Sequence, residues 1–398
     1  MPDRLKKNSK LHFALIQELY YRNTASCNVL STATKKSIPL VTKVINDLVE
    51  MGYVSERGYA PSSGGRRPLT YSLISDKLFI LVVAMDQLST RIGIVDLHNN
   101  YILPLSVVEL KLKHNSTAVD ELTQHIKDYI TKSGISISKF IGIGIGMPGF
   151  INVTEGINYT YLETNNTTLK QHLLEEIGIP AYIDNDSSLI ALAELKFGAA
   201  NRSADAMVIN MGWGIGLGMI VNGNLFRGHN GFAGEFSHIA ITDEDILCSC
   251  GKQGCLEAVA SLLAVADKAI QGIKNGRISS LSYIKDLNSK VDVGDAILKE
   301  ANNGDQYAIE LITDAAYKIG RALSILIHIM NPKTIVLSGR SVKVAKLMRS
   351  PIQQALNKYC IPRLIEDTEI KISELGFDAE LIGASILVMQ NFGKEKVA

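Results

Sequence analysis

Four residues of this chain have the types and the spacing of a metal site: His238, followed by Cys248, Cys250 and Cys255 within the next seventeen positions. One imidazole and three thiolates suit tetrahedral Zn(II), and four protein ligands leave no open position, which predicts a structural ion rather than a catalytic one. Gly251 and Gly254 permit the tight turns between the thiolates. Five cysteines are an odd, small number for a secreted disulfide scaffold, and their clustering predicts a reducing compartment. Cys27 and Cys360 then remain as buried thiols.

Two further runs could bind a ligand. Asp184-Asn185-Asp186 follows the apolar segment Ala181 to Ile183, and in open α/β sheets the carboxyl ends of strands are where ligands sit. The alternating glycines Gly212, Gly214, Gly216 and Gly218 would let backbone amides approach an anion closely, as phosphate requires, although such spacing also serves bulges and close packing.

These residues need a scaffold. From Leu78 the pattern predicts three strands in a meander, Leu78 to Met85, Arg91 to Leu97 and Leu103 to Leu112. An amphipathic helix, Thr117 to Lys132, a buried strand, Phe140 to Gly146, ending in Met147-Pro148-Gly149, and a helix-strand pair, Leu169 to Ile177 and Ala181 to Ile183, complete a first lobe. A second lobe opens with the strand Ala206 to Asn210. It contains an apolar helix, Leu311 to Met330, suited to either a lobe core or an interface.

Ahead of the body lies a basic head. Residues 1 to 77 hold 12 Lys+Arg against 6 Asp+Glu, leaving 29 against 34 beyond, so the net charge of +1 conceals two opposed terms. Leu11, Leu15, Ile16 and Leu19 repeat at helical spacing, a second helix is predicted from Val29 to Lys35, and a third starts at Ser37-Ile38-Pro39 with Val41, Val44, Ile45, Leu48 and Val49 on one face. Three short helices followed by a β-ribbon describe a winged helix-turn-helix, whose third helix enters the major groove. Ser37, Thr42, Lys43 and Asn46 would face the bases, and the ribbon tip, Ser62 to Pro68, presents Arg66 and Arg67 to phosphates or a minor groove.

The chain is 398 residues and 43.4 kDa, long enough for two or three packed units. At 46% hydrophobic and 20% charged it is globular rather than disordered or collagenous. No apolar run approaches the roughly 20 residues that span a bilayer, and no signal peptide is apparent, so the expected location is cytoplasmic.

The runs Gly231 to His238, Cys248 to Glu257, Asp184-Asn185-Asp186, Pro148-Gly149 and Asp378 to Ala384 together resemble the ROK family of sugar kinases and sugar-responsive repressors. The winged head with Gly64-Gly-Arg-Arg-Pro68 resembles its repressor branch. The resemblance implies an α/β, actin-like (ribonuclease H-like) body of two lobes with a sugar in the cleft. It implies sugar contacts from Asn185, Asp186, Glu235, His238 and Glu257, with Asp186 in the place of the kinases' catalytic base.

The same comparison sets this chain apart from the kinases. Their phosphate loops read Asp-x-Gly-Gly-Thr, Gly-Thr-Gly and Gly-Gly-Gly; here they are Asp86-Gln87-Leu88-Ser89-Thr90, Gly212-Trp213-Gly214 and Ser338-Gly339-Arg340. Ser237 also stands where the family usually has glycine. The sugar and zinc motifs are nearly complete while the nucleotide motifs are degraded, which implies binding without phosphoryl transfer.

The resulting expectation is a winged helix-turn-helix at 1–77, a first lobe at 78–187 and a second lobe with the zinc site at 188–398, the C-terminal helix returning to the first. Such a protein would be a non-enzymatic transcriptional regulator, most simply a repressor of carbohydrate-utilisation genes. Its partners would be a double-stranded operator and a sugar or sugar phosphate, and two heads on a palindrome imply a homodimer or homotetramer. The alternatives are a sugar kinase acting on a hexose or N-acetyl sugar with Asp186 as base, and a regulator whose body binds a partner protein.

Overall fold

The computed structural model describes residues 10–59, 67–164 and 167–394. The head begins with α1 (Lys10–Arg22), α2 (Cys27–Thr34) and α3 (Ile38–Glu50). Ser26 caps α2 by accepting from the Val29 amide, and Pro39 sits in the first turn of α3, where its missing N–H costs nothing. The apolar stripes close on one another: Leu15, Ile16 and Leu19 of α1, Leu30 of α2 and Val41, Ile45 and Leu48 of α3 are all fully buried. A three-stranded sheet completes the winged helix-turn-helix, with β1 (Ala25–Ser26) and β2 (Val54–Tyr59) both antiparallel to β3 (Leu69–Leu73).

The body contains the same five-stranded sheet twice. In the first, β4 (Phe79–Met85), β5 (Thr90–Val95) and β6 (Ser106–Val108) form the antiparallel meander, and β7 (Phe140–Met147) and β10 (Ala181–Asn185) add in parallel on the other side of β4. Between them lie α4 (Ala118–Ser133), the hairpin of β8 (Ile151–Asn152) and β9 (Ile157–Asn158), and α5 (Leu169–Ile177). The second sheet repeats the order with β11 (Ala206–Met211), β12 (Ile215–Val221), β13 (Asn224–Phe226), β14 (Thr334–Ser338) and β15 (Glu369–Ile372). This is the ribonuclease H-like, actin-like architecture. Its central strands, β4 and β7, are buried along their whole length, which is why they read as continuous apolar runs.

The chain divides into two compact units, 1–185 with 384–398, and 186–383. The division falls at Asn185-Asp186, where β10 gives way to α6 (Asp186–Lys196), and within the C-terminal helix Ala379–Asn391. In the first unit that helix's latter half carries the head: Tyr20 of α1 donates to Asn99 Oδ1 at 2.6 Å and its hydroxyl lies 2.8 Å from Ser385 Oγ. Gln17 donates to the Met389 carbonyl at 2.7 Å, and the rings of Phe13 and Phe392 meet edge-on at 5.1 Å.

Two sequence expectations change. The strand expected over Leu103–Leu112 is only Ser106–Val108, because Pro104 has no amide to give to a ladder and Leu110 and Leu112 turn into the core instead of pairing. The glycine run 212–218 is a turn followed by a strand. Gly216 and Gly218 lie on β12 beneath α6: a β-carbon on Gly216 would strike the Ser187 hydroxyl, and one on Gly218 would come within 2.6 Å of the Ser187 carbonyl. Those two glycines therefore serve close helix–sheet packing rather than phosphate.

Candidate functional site

His238 ends the short 3-10 helix Phe236–His238, and Cys255 precedes α7 (Leu256–Ala260). A bridge between Ala240 and Cys255 and the bond from the Leu256 amide to the Ile239 carbonyl (3.0 Å) bring these two ends side by side. Cys248 and Cys250 sit on the intervening loop, whose turn is closed by Cys248 N to Lys252 O at 2.7 Å and by Gly251 at φ +82°.

The four ligand atoms lie within 4.8 Å of one another. Tetrahedral zinc with bonds of about 2.3 Å to sulfur and about 2.0–2.1 Å to nitrogen places two sulfurs about 3.8 Å apart and sulfur from nitrogen about 3.6 Å. The distances here are 3.7 Å for Cys250 Sγ to Cys255 Sγ and 3.6 Å for Cys248 Sγ to His238 Nδ1, far beyond a disulfide bond. Burial and the two neighbouring thiols push the Cys255 thiol up to about 12, whereas the backbone beside Lys252 and the adjacent thiols lower Cys250. Three crowded thiols of this kind gain most from a cation that displaces their protons. The donor set fits zinc.

The cluster positions acids. Glu257 is the second residue of α7, one turn-step beyond Cys255, and its Oε2 accepts from the Ile215 amide at 3.4 Å. A β-carbon on Gly214 would meet that oxygen at 2.8 Å, so this glycine makes room for the carboxylate. Glu235 lies 3.8 Å from His238 Nε2, while Nδ1 faces the thiols. Desolvation raises the Glu235 carboxyl, with His238 pulling it down and Glu257 adding to the rise; at 46% side-chain exposure the effect is screened.

Asp186 opens α6. Its Oδ1 accepts from the Ser187 amide at 2.6 Å, the arrangement favoured for an anion at a helix N-terminus, and Oδ2 accepts from Asn210 at 3.3 Å. Asn185 belongs to the first unit, where its amide donates to the Gly149 carbonyl at 3.4 Å and Asn158 fixes the loop by donating to Pro148 O at 3.0 Å. Asp186, Glu235, His238 and Glu257 thus belong to one unit, on three elements, and Asn185 is chain-adjacent to the first of them.

The degraded nucleotide turns meet each other. Gly212-Trp213-Gly214 and Ser338-Gly339-Arg340 leave the carboxyl ends of the parallel neighbours β11 and β14. The Arg340 guanidinium lies 4.7 Å from the ring centres of both Trp213 and Phe377, and it pairs with Asp295 at 2.8 Å. Trp213 is only 3% exposed, packed against Gly294. Outside these strand ends the guanidinium therefore lies over two aromatic rings.

In the head, Ser37, Lys43 and Asn46 are exposed on the outer side of α3 and Thr42 is half-buried beside them. Ser37 occupies the N-cap without a capping bond, leaving its hydroxyl directed away from the helix amides. The sequence reading overlooked Ile38 and Leu40, 47% and 43% exposed on the same helix; apolar residues left outside a winged-helix core can contact thymine methyls. Arg67 is exposed at the base of the wing, while Arg66 and the rest of the tip, 60–66, lie outside the described residues. Replacing Arg66 and Arg67 together by alanine should weaken DNA binding and lower the salt slope by about 0.9 for each lost phosphate contact. An unchanged slope in a titration over 50–200 mM salt, roughly the span in which such contacts are felt, would argue against a wing role.

A winged helix-turn-helix head ahead of a duplicated ribonuclease H-like body, with a His-Cys cluster beside acidic side chains, defines the class of protein. The chain belongs to the ROK family, whose pattern matches residues 102–391. It is 36% identical over 276 residues to a glucokinase of Halalkalibacterium halodurans, covering 68% of this chain and 83% of that one. It is 28% identical over 364 residues to the xylose repressor of Caldicellulosiruptor bescii, covering 88% of each. The crystal structure of a ROK family transcriptional regulator, a homologue of the E. coli MLC protein, superposes with a TM-score of 0.76 at 22% identity, covering 96% of this chain and 97% of that one. Among the described residues no helix is long and apolar enough to cross a membrane.

Proposed function

We propose that this protein is a DNA-binding transcriptional regulator, a repressor of carbohydrate-utilisation genes, whose body binds a sugar or sugar phosphate and thereby alters the fit of the head to its operator. The observation that carries the reading is the winged helix-turn-helix itself, with Ser37, Lys43 and Asn46 exposed on or at the start of α3 and the head packed on the C-terminal helix through Tyr20, Gln17 and Phe13. The similarity to a xylose repressor over 88% of the chain supports it.

In this reading Asn185, Asp186, Glu235, His238 and Glu257 contact the sugar hydroxyls, since carboxylates accept from vicinal hydroxyls and an amide or imidazole can donate. Zinc held by His238, Cys248, Cys250 and Cys255 would supply no chemistry on the sugar; it fixes the imidazole ring and the start of α7, and so the placement of Glu235 and Glu257. Regulation requires the sugar to bind one arrangement of the heads more tightly than the other, because differential affinity alone shifts the equilibrium. Two heads on a palindromic operator make the working form a homodimer or homotetramer.

The glucokinase similarity and the retained Asp186 favour a second reading, a sugar kinase with Asp186 as base. Arg340, lying over the rings of Trp213 and Phe377, speaks against it, because a nucleotide approaching these turns would have to displace a half-buried, ion-paired guanidinium. A coupled ATPase assay over a sugar panel decides between them. No turnover is expected, and turnover abolished by Asp186→Asn would overturn the repressor reading.

A further inference from the structure

We infer that Asn210 is the positioning residue for Asp186, and that Gly339 persists in its degraded loop to seat Asn210 rather than to hold phosphate. The inference rests on the proposed role of Asp186 in binding sugar. Asp186 Oδ1 is committed to the amide and hydroxyl of Ser187, at 2.6 and 3.1 Å. The second oxygen accepts from Asn210 Nδ2 at 3.3 Å, and the same nitrogen donates to Ser187 Oγ at 3.2 Å. Asn210, the penultimate residue of β11, therefore joins that strand to the first turn of α6 and fixes the rotation of the carboxylate about its Cβ–Cγ bond. A carboxylate in that place would oppose Asp186, and an aliphatic residue would remove the bond that the Asn210 amide donates to it.

The other side of Asn210 is occupied by Gly339. Its φ of +88° and ψ of −166° lie in a region essentially reserved for glycine. A β-carbon there would collide with Asn210 Oδ1 and stand 2.9 Å from the Met211 amide nitrogen. The glycine thus leaves room for the Asn210 amide at the end of β11, next to the point where Ser338 Oγ donates to the buried Glu194 of α6. Charged groups on this helix and on the neighbouring turns include Glu194 and Lys196 of α6, Glu257 and the Arg340–Asp295 pair.

The test uses full-length, zinc-loaded protein and whichever of D-glucose, D-xylose and N-acetyl-D-glucosamine gives the largest thermal shift. Asn210→Ala is expected to weaken binding of that sugar about tenfold, the scale of one hydrogen bond to a charged group. Relative to the unaltered protein measured at the same pH, Asn210→Asp is expected to weaken binding more at pH 8 than at pH 5, because two facing carboxylates can share a proton only at the lower pH. Gly339→Ala should reproduce the Asn210→Ala defect. Melting temperature without sugar and zinc content identify any variant that fails to fold, and the pH trend of Asn210→Asp then carries the decision, since general destabilisation does not produce it. A flat pH profile at unaltered affinity for Asn210→Asp overturns the inference. Asp186→Ala run in parallel separates the two levels: if it leaves sugar binding intact, or if none of the three sugars binds, the underlying reading of Asp186 has failed; if it abolishes binding while the Asn210 variants bind normally, the positioning role alone has failed.

Discussion

Cys250→Ser is expected to leave the protein without stoichiometric zinc and without its response to sugar, while the head still binds DNA. The physical chain runs through the loop from His238 to Glu257. The backbone bonds across it include Ile239 to Leu256, Ile241 to Gly254, Ile246 to Gly254 and Cys248 to Lys252, and Leu247 at its tip is 70% exposed. Such a segment has little of its own to hold it, and a structural ion contributes folding free energy directly. Serine keeps the size of the side chain but is a poor zinc ligand, so the remaining three donors lose the tetrahedral closure. With the ion gone, the His238 ring is no longer pinned at Nδ1, and the N-terminus of α7, which presents Glu257, frays. The melting temperature should fall by roughly 5 °C, reflecting local rather than global loss. Metal analysis and a sugar titration on the same preparation check the result; zinc still at one ion per chain would contradict the four-ligand assignment.

Asp186→Ala is expected to give a regulator locked in its sugar-free behaviour. Asp186 is held at both oxygens by α6 and β11, so its carboxylate is already oriented and a sugar hydroxyl gains a charge-assisted bond at little ordering cost. Removing it sacrifices that bond and leaves Asn210 facing an empty position. A loss of about 100-fold in sugar affinity follows from about 2.7 kcal/mol, within the range for a hydrogen bond to a charged group whose partner is left unpaired. Because the residue is remote in sequence and in element from α3, affinity for DNA without sugar should be unchanged. Anisotropy titrations of labelled duplex with and without sugar check both halves.

Much of this was legible beforehand, for identifiable reasons. The head's helices were readable because Leu15, Ile16, Leu19, Val41, Ile45 and Leu48 pack one small core, and a core built from local helices imposes its period on the sequence. The metal cluster was readable because three of its four ligands are close in the chain and cysteine is rarely placed idly. The glycine run was ambiguous for an equally physical reason: close helix packing and anion binding both demand the absence of a β-carbon, and only the position of Ser187 above Gly216 distinguishes them. Asn210 carried no signal, since an asparagine ending a strand is ordinary until Asp186, 24 positions away, is placed beside it. The Arg340–Trp213 contact joins residues of two turns far apart in the chain, and no local pattern announces a cation over a ring.

The central claim is that one chain reads DNA with its head and a sugar with its body, and that the two events are linked. The most direct measurement is the affinity of the full-length protein for a duplex that it enriches from a random library, titrated with each sugar of the panel in the presence and absence of ATP. The account predicts that one sugar changes DNA affinity by at least about tenfold, that Asp186→Ala removes the change, and that ATP has no influence. A duplex affinity indifferent to every sugar, together with sugar-dependent consumption of ATP, would contradict it.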